Sequence, residues 1–184
     1  MIEVALGICW SVSYFLICVY SLKYREEKKV FMPLIAGAMN FGWEIHALIV
    51  SKGLWTHIVW LLLDVIIIAY NLYALKTSQK VLYTTFTILL IISLYFIFRI
   101  PQIDGMLISS FAIDIIMAIE YLVFIKALSN KGRTLIGVFR LLGDLFAWIS
   151  NGKLSTFVSV VGVLVLIINL LYISYSLELD SISK

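Results

Sequence analysis

Seven apolar runs, each close to the length of a membrane span, make up most of this chain. They cover roughly residues 2–22, 30–50, 54–75, 81–100, 106–128, 134–150 and 154–176. A helix needs about 20 mostly apolar residues to cross the hydrocarbon of a bilayer. Lipid offers the backbone no hydrogen bonds, so such runs have to be helices. Composition agrees, with 62% hydrophobic residues, only 14% charged and a mean hydropathy of +1.05. A soluble domain is about one quarter charged. The expected fold is all-α: a polytopic transmembrane bundle of about seven helices, forming one domain over residues 1–184. The run 134–150 is the shortest and most polar. Pro33 falls in the first turn of the second run, where proline is tolerated. The first run has Glu3 and no basic residues ahead of it, so it reads as a retained span and not a cleaved leader. Cys9 and Cys18 lie nine residues apart on that run, which a helix holds too far apart for a disulfide.

The breaks between runs carry the orientation signal. Lys23, Arg25, Lys28, Lys29, Lys76, Lys80, Lys126, Lys131, Arg133 and Lys184 fall on one side of the membrane. Lys52, Arg99 and Lys153 fall on the other. Basic loops stay inside, so the N-terminus is expected outside and the C-terminus in the cytoplasm. Residues 34–54 also read somewhat like residues 135–154: a small-residue helix, a mid-helix acid, then a Lys/Gly loop. Spans one to three and five to seven would then be parallel copies, with span four as a linker.

The chemistry has to come from the ionisable residues inside the runs: Glu44, His46, Asp64, Asp114, Glu120, Arg140 and Asp144. A charge at the centre of a spanning helix costs roughly 2.5–3.5 kcal/mol on insertion scales. Glu44, Asp114 and Asp144 each lie roughly 10 Å below the outer loops, from a rise of about 1.5 Å per residue. Five carboxylates share the interior with one arginine. Arg140 and Asp144 are spaced i, i+4 and can pair on one helix face. The other acids must be protonated, solvated or hydrogen-bonded, because low dielectric disfavours a bare carboxylate. A carboxylic acid kept neutral is a candidate proton donor. Such acids can equally serve as hydrogen-bonding glue between helices.

Glu44 has the most suggestive neighbours. Ala36, Asn40, Trp43 and Glu44 share one helix face by their spacing, and Gly37 joins it. The small residues allow close helix approach. Asn40 can reach the carboxyl one turn away, and Trp43 supplies an aromatic wall. His46 and His57 lie toward the outer end near Trp55, where such residues usually anchor the interface. Their spacing does not repeat as metal-binding histidines do, so no metal and no cofactor are expected.

Three stretches resemble a known family, the integral-membrane terpene cyclases of fungal meroterpenoid and indole-diterpene pathways, with their small bacterial relatives. Asn40-Phe41-Gly42-Trp43-Glu44 is similar to the family's Asn-x-x-Trp-Glu. Leu54-Trp55 followed by Leu63-Asp64-Val65-Ile66 is similar to its Trp and Asp-hydrophobic run. Gly132-Arg133-Thr134 followed by Leu141-Leu142-Gly143 is similar to its Gly-Gln-Ser and Leu-Gly-Thr, with Arg133 in place of Gln and Asp144 in place of Thr. The order and spacing agree over roughly residues 30–175. The resemblance implies metal-independent cyclisation of a prenylated, lipophilic substrate, started by protonation of an epoxide or alkene. It implies that Glu44 is the acid. A second family acid, in the last helix, falls at Asn169 within Asn169-Leu170-Leu171-Tyr172-Ile173. Asp64, Asp114 or Asp144 would then supply the second carboxyl.

These readings place the candidate catalytic groups at Glu44 and Asp64, with Asn40, Trp43, Asp114, Arg140, Asp144 and Asn169 around the substrate. The expected partners are a lipophilic isoprenoid small molecule and the lipid bilayer, with no nucleic acid. The cavity is expected within the outer half of the membrane. The chain is 14% aromatic, and π-faces stabilise cations. It has no aspartate run for magnesium, no phosphate-binding glycine loop and no Ser/His/Asp order. Two alternatives use the same residues. A small transporter would run a proton relay through the acids, and the Pro101-Gln102 pair invites comparison with three-helix-repeat sugar transporters. A non-catalytic immunity or assembly factor would need none of the acids for chemistry.

Overall fold

A computed structural model describes residues 2–50, 55–97 and 105–182. Seven α-helices follow one another: α1 (Ile2–Lys23), α2 (Leu34–Val50), α3 (Trp55–Ala74), α4 (Thr77–Ile97), α5 (Gly105–Val123), α6 (Arg133–Asn151) and α7 (Thr156–Ile182). A single 3-10 turn, Arg25–Glu27, follows α1. There is no strand among the described residues. The break at Ser51-Lys52-Gly53, Leu54, Arg99, the Pro101-Gln102 pair and Lys184 lie outside the described residues.

Four of the helices, α1, α3, α5 and α7, are long and apolar enough to cross a membrane. At 17 residues, α2 is shorter than these four. Helix α4 has an apolar stretch over Gln79–Ile92 among the described residues. Helix α6 carries Arg133, Arg140 and Asp144 on one buried face. The apolar helices are dressed for lipid. In α7 the buried seam Val158, Val161, Val165, Asn169, Tyr172 steps by three or four residues. The opposite face, with Leu164, Ile167, Leu170 and Leu171, is exposed and just as apolar.

The packing forms a ring. Helix α1 lies against α3 and α6, α3 against α2, α2 against α5, α5 against α7, and α7 against α6. The ring therefore runs α1–α3–α2–α5–α7–α6 and closes on α1, while α4 packs outside it on α2. Exchanging α1, α2 and α3 for α5, α6 and α7 leaves this order of main contacts unchanged. That is the pattern the parallel-repeat reading expects, with α4 as the linker. Small residues allow the closest approaches. A Cβ on Gly143 of α6 would stand 2.7 Å from the Trp10 ring of α1, and one on Gly137 would stand 2.7 Å from Tyr172 of α7. Gly132 opens α6 at φ 68°, a left-handed conformation that side chains resist, with the Tyr20 ring against it.

Several boundaries differ from those read in the sequence. Residues 30–33 are not helical, and Pro33 stands just ahead of α2, its carbonyl accepting the first helical bond from Gly37 N–H at 2.9 Å. Helix α5 stops at Val123, and turns carry the chain through 124–132. Helix α7 continues to Ile182 because its polar end has a partner. Asp180 accepts hydrogen bonds from Arg133 Nη2 (2.5 Å) and Thr134 Oγ1 (2.9 Å), tying α7 to the start of α6. Arg133 is buried there and is not a free loop charge.

Glu120 also has a structural task. Its Oε2 accepts a hydrogen bond from Ala36 N–H at 2.6 Å. The first N–H groups of a helix have no acceptor within it, and a carboxylate there also meets the positive end of the helix dipole. Glu120 of α5 thus caps the buried start of α2. Replacing it by Gln keeps an acceptor and is expected to cost little, whereas Glu120→Leu should destabilise the bundle by about 1–3 kcal/mol. Thermal unfolding in detergent measures both; a leucine variant as stable as wild type would remove Glu120 from this role.

Candidate active site

The polar face of α2 looks into a cavity of about 510 Å³ enclosed by α1, α2, α3, α5 and α6. The volume lies in the usual range for small-molecule sites, roughly 300–1,000 Å³. Its lining comes from the N-terminal ends of α1, α3 and α5 and the C-terminal halves of α2 and α6, so it lies toward the end of the bundle opposite the lysine-rich loops. Trp10, Tyr14, Trp43, Trp60 and Phe111 form aromatic walls, and Asn40, Glu44, His57 and Asp114 bring the polar groups.

Glu44 is 2% exposed, and its Oε2 lies 2.9 Å from Nδ1 of His57. One proton shared between these atoms satisfies the contact whichever of them carries it. His57 was expected at the interface. Instead it is buried, held edge-on between Trp43 (centroids 5.5 Å) and Trp60 (5.6 Å). Both tryptophans are fixed in turn. Trp43 Nε1 donates to Ser109 Oγ of α5 at 3.0 Å, and Ser109 Oγ donates to Gly105 O. Trp60 Nε1 donates to Ser11 Oγ of α1 at 3.0 Å, and Ser11 Oγ donates to Gly7 O at 2.7 Å. His46 is also buried, its Nε2 2.6 Å from Ile91 O of α4, whereas Trp55 is 57% exposed as an interface residue would be.

The eight candidate residues divide into two groups. Asn40, Trp43, Glu44 and Asp114 line the cavity. Asp64, Arg140, Asp144 and Asn169 stand behind its wall, each buried. Asn40 Nδ2 donates to Asp64 Oδ2 at 2.7 Å, so Asp64 acts on the cavity through Asn40 and does not touch its contents. Asn169 Nδ2 donates to Asp144 Oδ2 at 2.5 Å across the α6–α7 contact. The Arg140–Asp144 pair allowed by their spacing does not form. Asp144 is turned to Asn169, while the Arg140 guanidinium carbon lies over the Tyr121 ring, 3.8 Å from its centroid. None of its three guanidinium nitrogens makes a hydrogen bond among the described residues.

The sequence reading missed His57 as a site residue. A signal was present: His57, Trp60, Asp64, Ile67 and Asn71 step by three and four along α3 and are all buried. Among the described residues, no cluster of three or more His, Cys, Asp or Glu side chains could hold a metal ion.

The Asn40–Asp64 contact makes a sharp prediction. Asn40→Leu strands the buried Asp64 carboxyl and should cost about 1–3 kcal/mol. Adding Asp64→Leu should recover much of that loss, since removing both partners is far cheaper than removing one. A double-mutant cycle on thermal unfolding reads this; additive losses would mean the two side chains do not depend on each other. No family model matches the sequence, and no curated protein or solved structure matches it either.

Proposed function

We propose that this protein is a membrane-embedded cyclase that acts on a lipophilic isoprenoid by protonating it. One observation carries the reading: the Glu44 carboxyl faces an aromatic-walled cavity with a histidine at its back. Glu44 gives its proton to a terminal alkene or epoxide of the bound substrate. The π-electrons of successive double bonds then close rings, and the positive charge moves along the chain. Trp10, Trp43, Trp60 and Phe111 present π-faces to that charge. The last cation loses a proton to a base, the role of Asp114 of α5 in the same lining. One proton enters and one leaves, so the product is an isomer of the substrate. Asp114 then releases its proton to water, and His57, taking up a proton from water on Nε2, passes one from Nδ1 to Glu44, so that each group ends as it began.

The resemblance expects an acid at position 169, where this chain has Asn169. Its amide donates to Asp144, at the position of the family's threonine. Asp144 thus keeps a carboxyl at that level of the bundle, across the α6–α7 contact from Asn169. We place the N-terminus outside and the lysine-rich end in the cytoplasm, with all seven helices crossing the bilayer and the cavity in its outer half.

A second reading, a proton-coupled transporter, is favoured by the ring order. Two three-helix units packed in the same order, flanked by a linker helix, suit a site between parallel repeats.

Membranes bearing the protein should convert a prenylated acceptor, with or without a terminal epoxide, to a product of unchanged mass and altered retention time. Glu44→Gln should lower that conversion by at least about 100-fold, the scale of a general acid. Full activity in Glu44→Gln would take the acid role away from Glu44. No product across a broad panel from folded wild type, together with substrate-dependent proton uptake into vesicles, would replace the cyclase with the transporter.

A further inference from the structure

A second cavity lies away from the candidate active site. It has a volume of about 660 Å³ and sits at the lysine-rich end, between the entry to α2, the α3–α4 turn and the chain after α5. Lys28 and Lys29 come from the segment before α2, and Lys76 from the α3–α4 turn. Below them the walls are apolar: Leu34, Phe86, Phe124 and Leu128. Phe124 is 47% exposed, so the apolar part meets the lipid side of the bundle.

The backbone carrying these lysines is pinned. Tyr70 Oη donates to Lys29 O at 3.0 Å, and Ser129 N–H donates to Val30 O at 3.0 Å. Lys76 N–H donates to Gln79 Oε1 at 3.2 Å, which fixes the turn on the far side. Two further polar groups face the cavity. Tyr83 is 4% exposed, and its hydroxyl makes no hydrogen bond of ordinary geometry, although the Asn71 amide stands beside it. Glu120 is on the inner wall with Oε2 committed to Ala36 N–H. With a carboxyl at the floor, the rim with its three lysines is the place for an anionic group.

We propose that this cavity binds a phosphate-bearing amphiphile, its head among Lys28, Lys29 and Lys76 and its chain along Leu34, Phe86, Phe124 and Leu128. Lysine ammonium groups bind phosphate as point charges. A tail of several methylene or isoprene units suits the apolar wall and gains from leaving water. The source is either a phospholipid of the membrane or an isoprenoid phosphate, and the two share this chemistry.

Native mass spectrometry of the full chain in neutral detergent tests the site. The probes are dioleoyl phosphatidate, farnesyl monophosphate, inorganic phosphate and dioleoyl phosphatidylcholine. Saturable one-to-one binding of at least one phosphate monoester amphiphile is expected, with phosphatidate alone pointing to a membrane lipid and farnesyl phosphate alone to an isoprenoid. Each lysine replaced by glutamine should weaken binding roughly fivefold, so Lys28→Gln/Lys29→Gln/Lys76→Gln together should lose roughly 100-fold. Ala127→Trp, which fills the cavity from its wall, should block binding with all lysines present, and it decides the matter if the triple variant fails to fold. Unchanged binding in either folded variant would overturn the proposal. So would inorganic phosphate or phosphatidylcholine binding as tightly as the phosphate amphiphiles.

Discussion

A carboxyl group buried among apolar helices has to find a hydrogen-bond partner, and here the partner is nearly always on another helix. Glu44 meets His57 of α3, Asp64 meets Asn40 of α2, Glu120 meets the first turn of α2, and Asp144 meets Asn169 of α7. Between helices in lipid the hydrophobic effect gives little drive, and packing and polar contacts decide which faces meet. Each of these pairs fixes the rotation and height of two helices at once. The glycine contacts at Gly137 and Gly143 set how closely they lie.

The cavity inherits its rigidity from the same contacts. Trp43 and Trp60 are each held by an indole N–H to a serine that is itself tied to its own backbone. His57 has no room to rotate between them. A site whose walls are locked by a second layer of hydrogen bonds presents its acid in one direction. The layer behind the wall is charged as well. Arg140 lies over the Tyr121 ring and Asp144 is bound to Asn169, so the two make no ion pair with each other.

The helices and the face of α2 that carries Asn40, Trp43 and Glu44 were legible in the sequence, because hydropathy and helical spacing act locally. The reading was less complete where a partner lay far along the chain. Arg140 and Asp144 are four residues apart, but their real neighbours, Tyr121 and Asn169, are on other helices, and no local rule identifies them. Glu120 looked like one more interior acid until the start of α2 was placed beside it. His57 looked like an interface residue because depth was counted along one helix, while burial depends on what packs against it. The end of α7 lay beyond the apolar run that stops at residue 176, and its partner, Arg133, was counted as a loop charge.

The closed ring also sets an order of events during synthesis. Helix α1 is made before the other six, yet one of its two main neighbours is α6, which starts at residue 133. Until then Trp10 has no Gly143 to pack against, and α1 can join only α3 and the bilayer. Helix α6, too polar to prefer lipid alone, enters a groove already shaped by α1 and is fastened by α7 through Arg133 and Asp180. Long-range contacts of this kind form late and slowly. The chamber around Glu44 is therefore absent from every shorter nascent chain and comes into being only when the last third of the protein closes the circle.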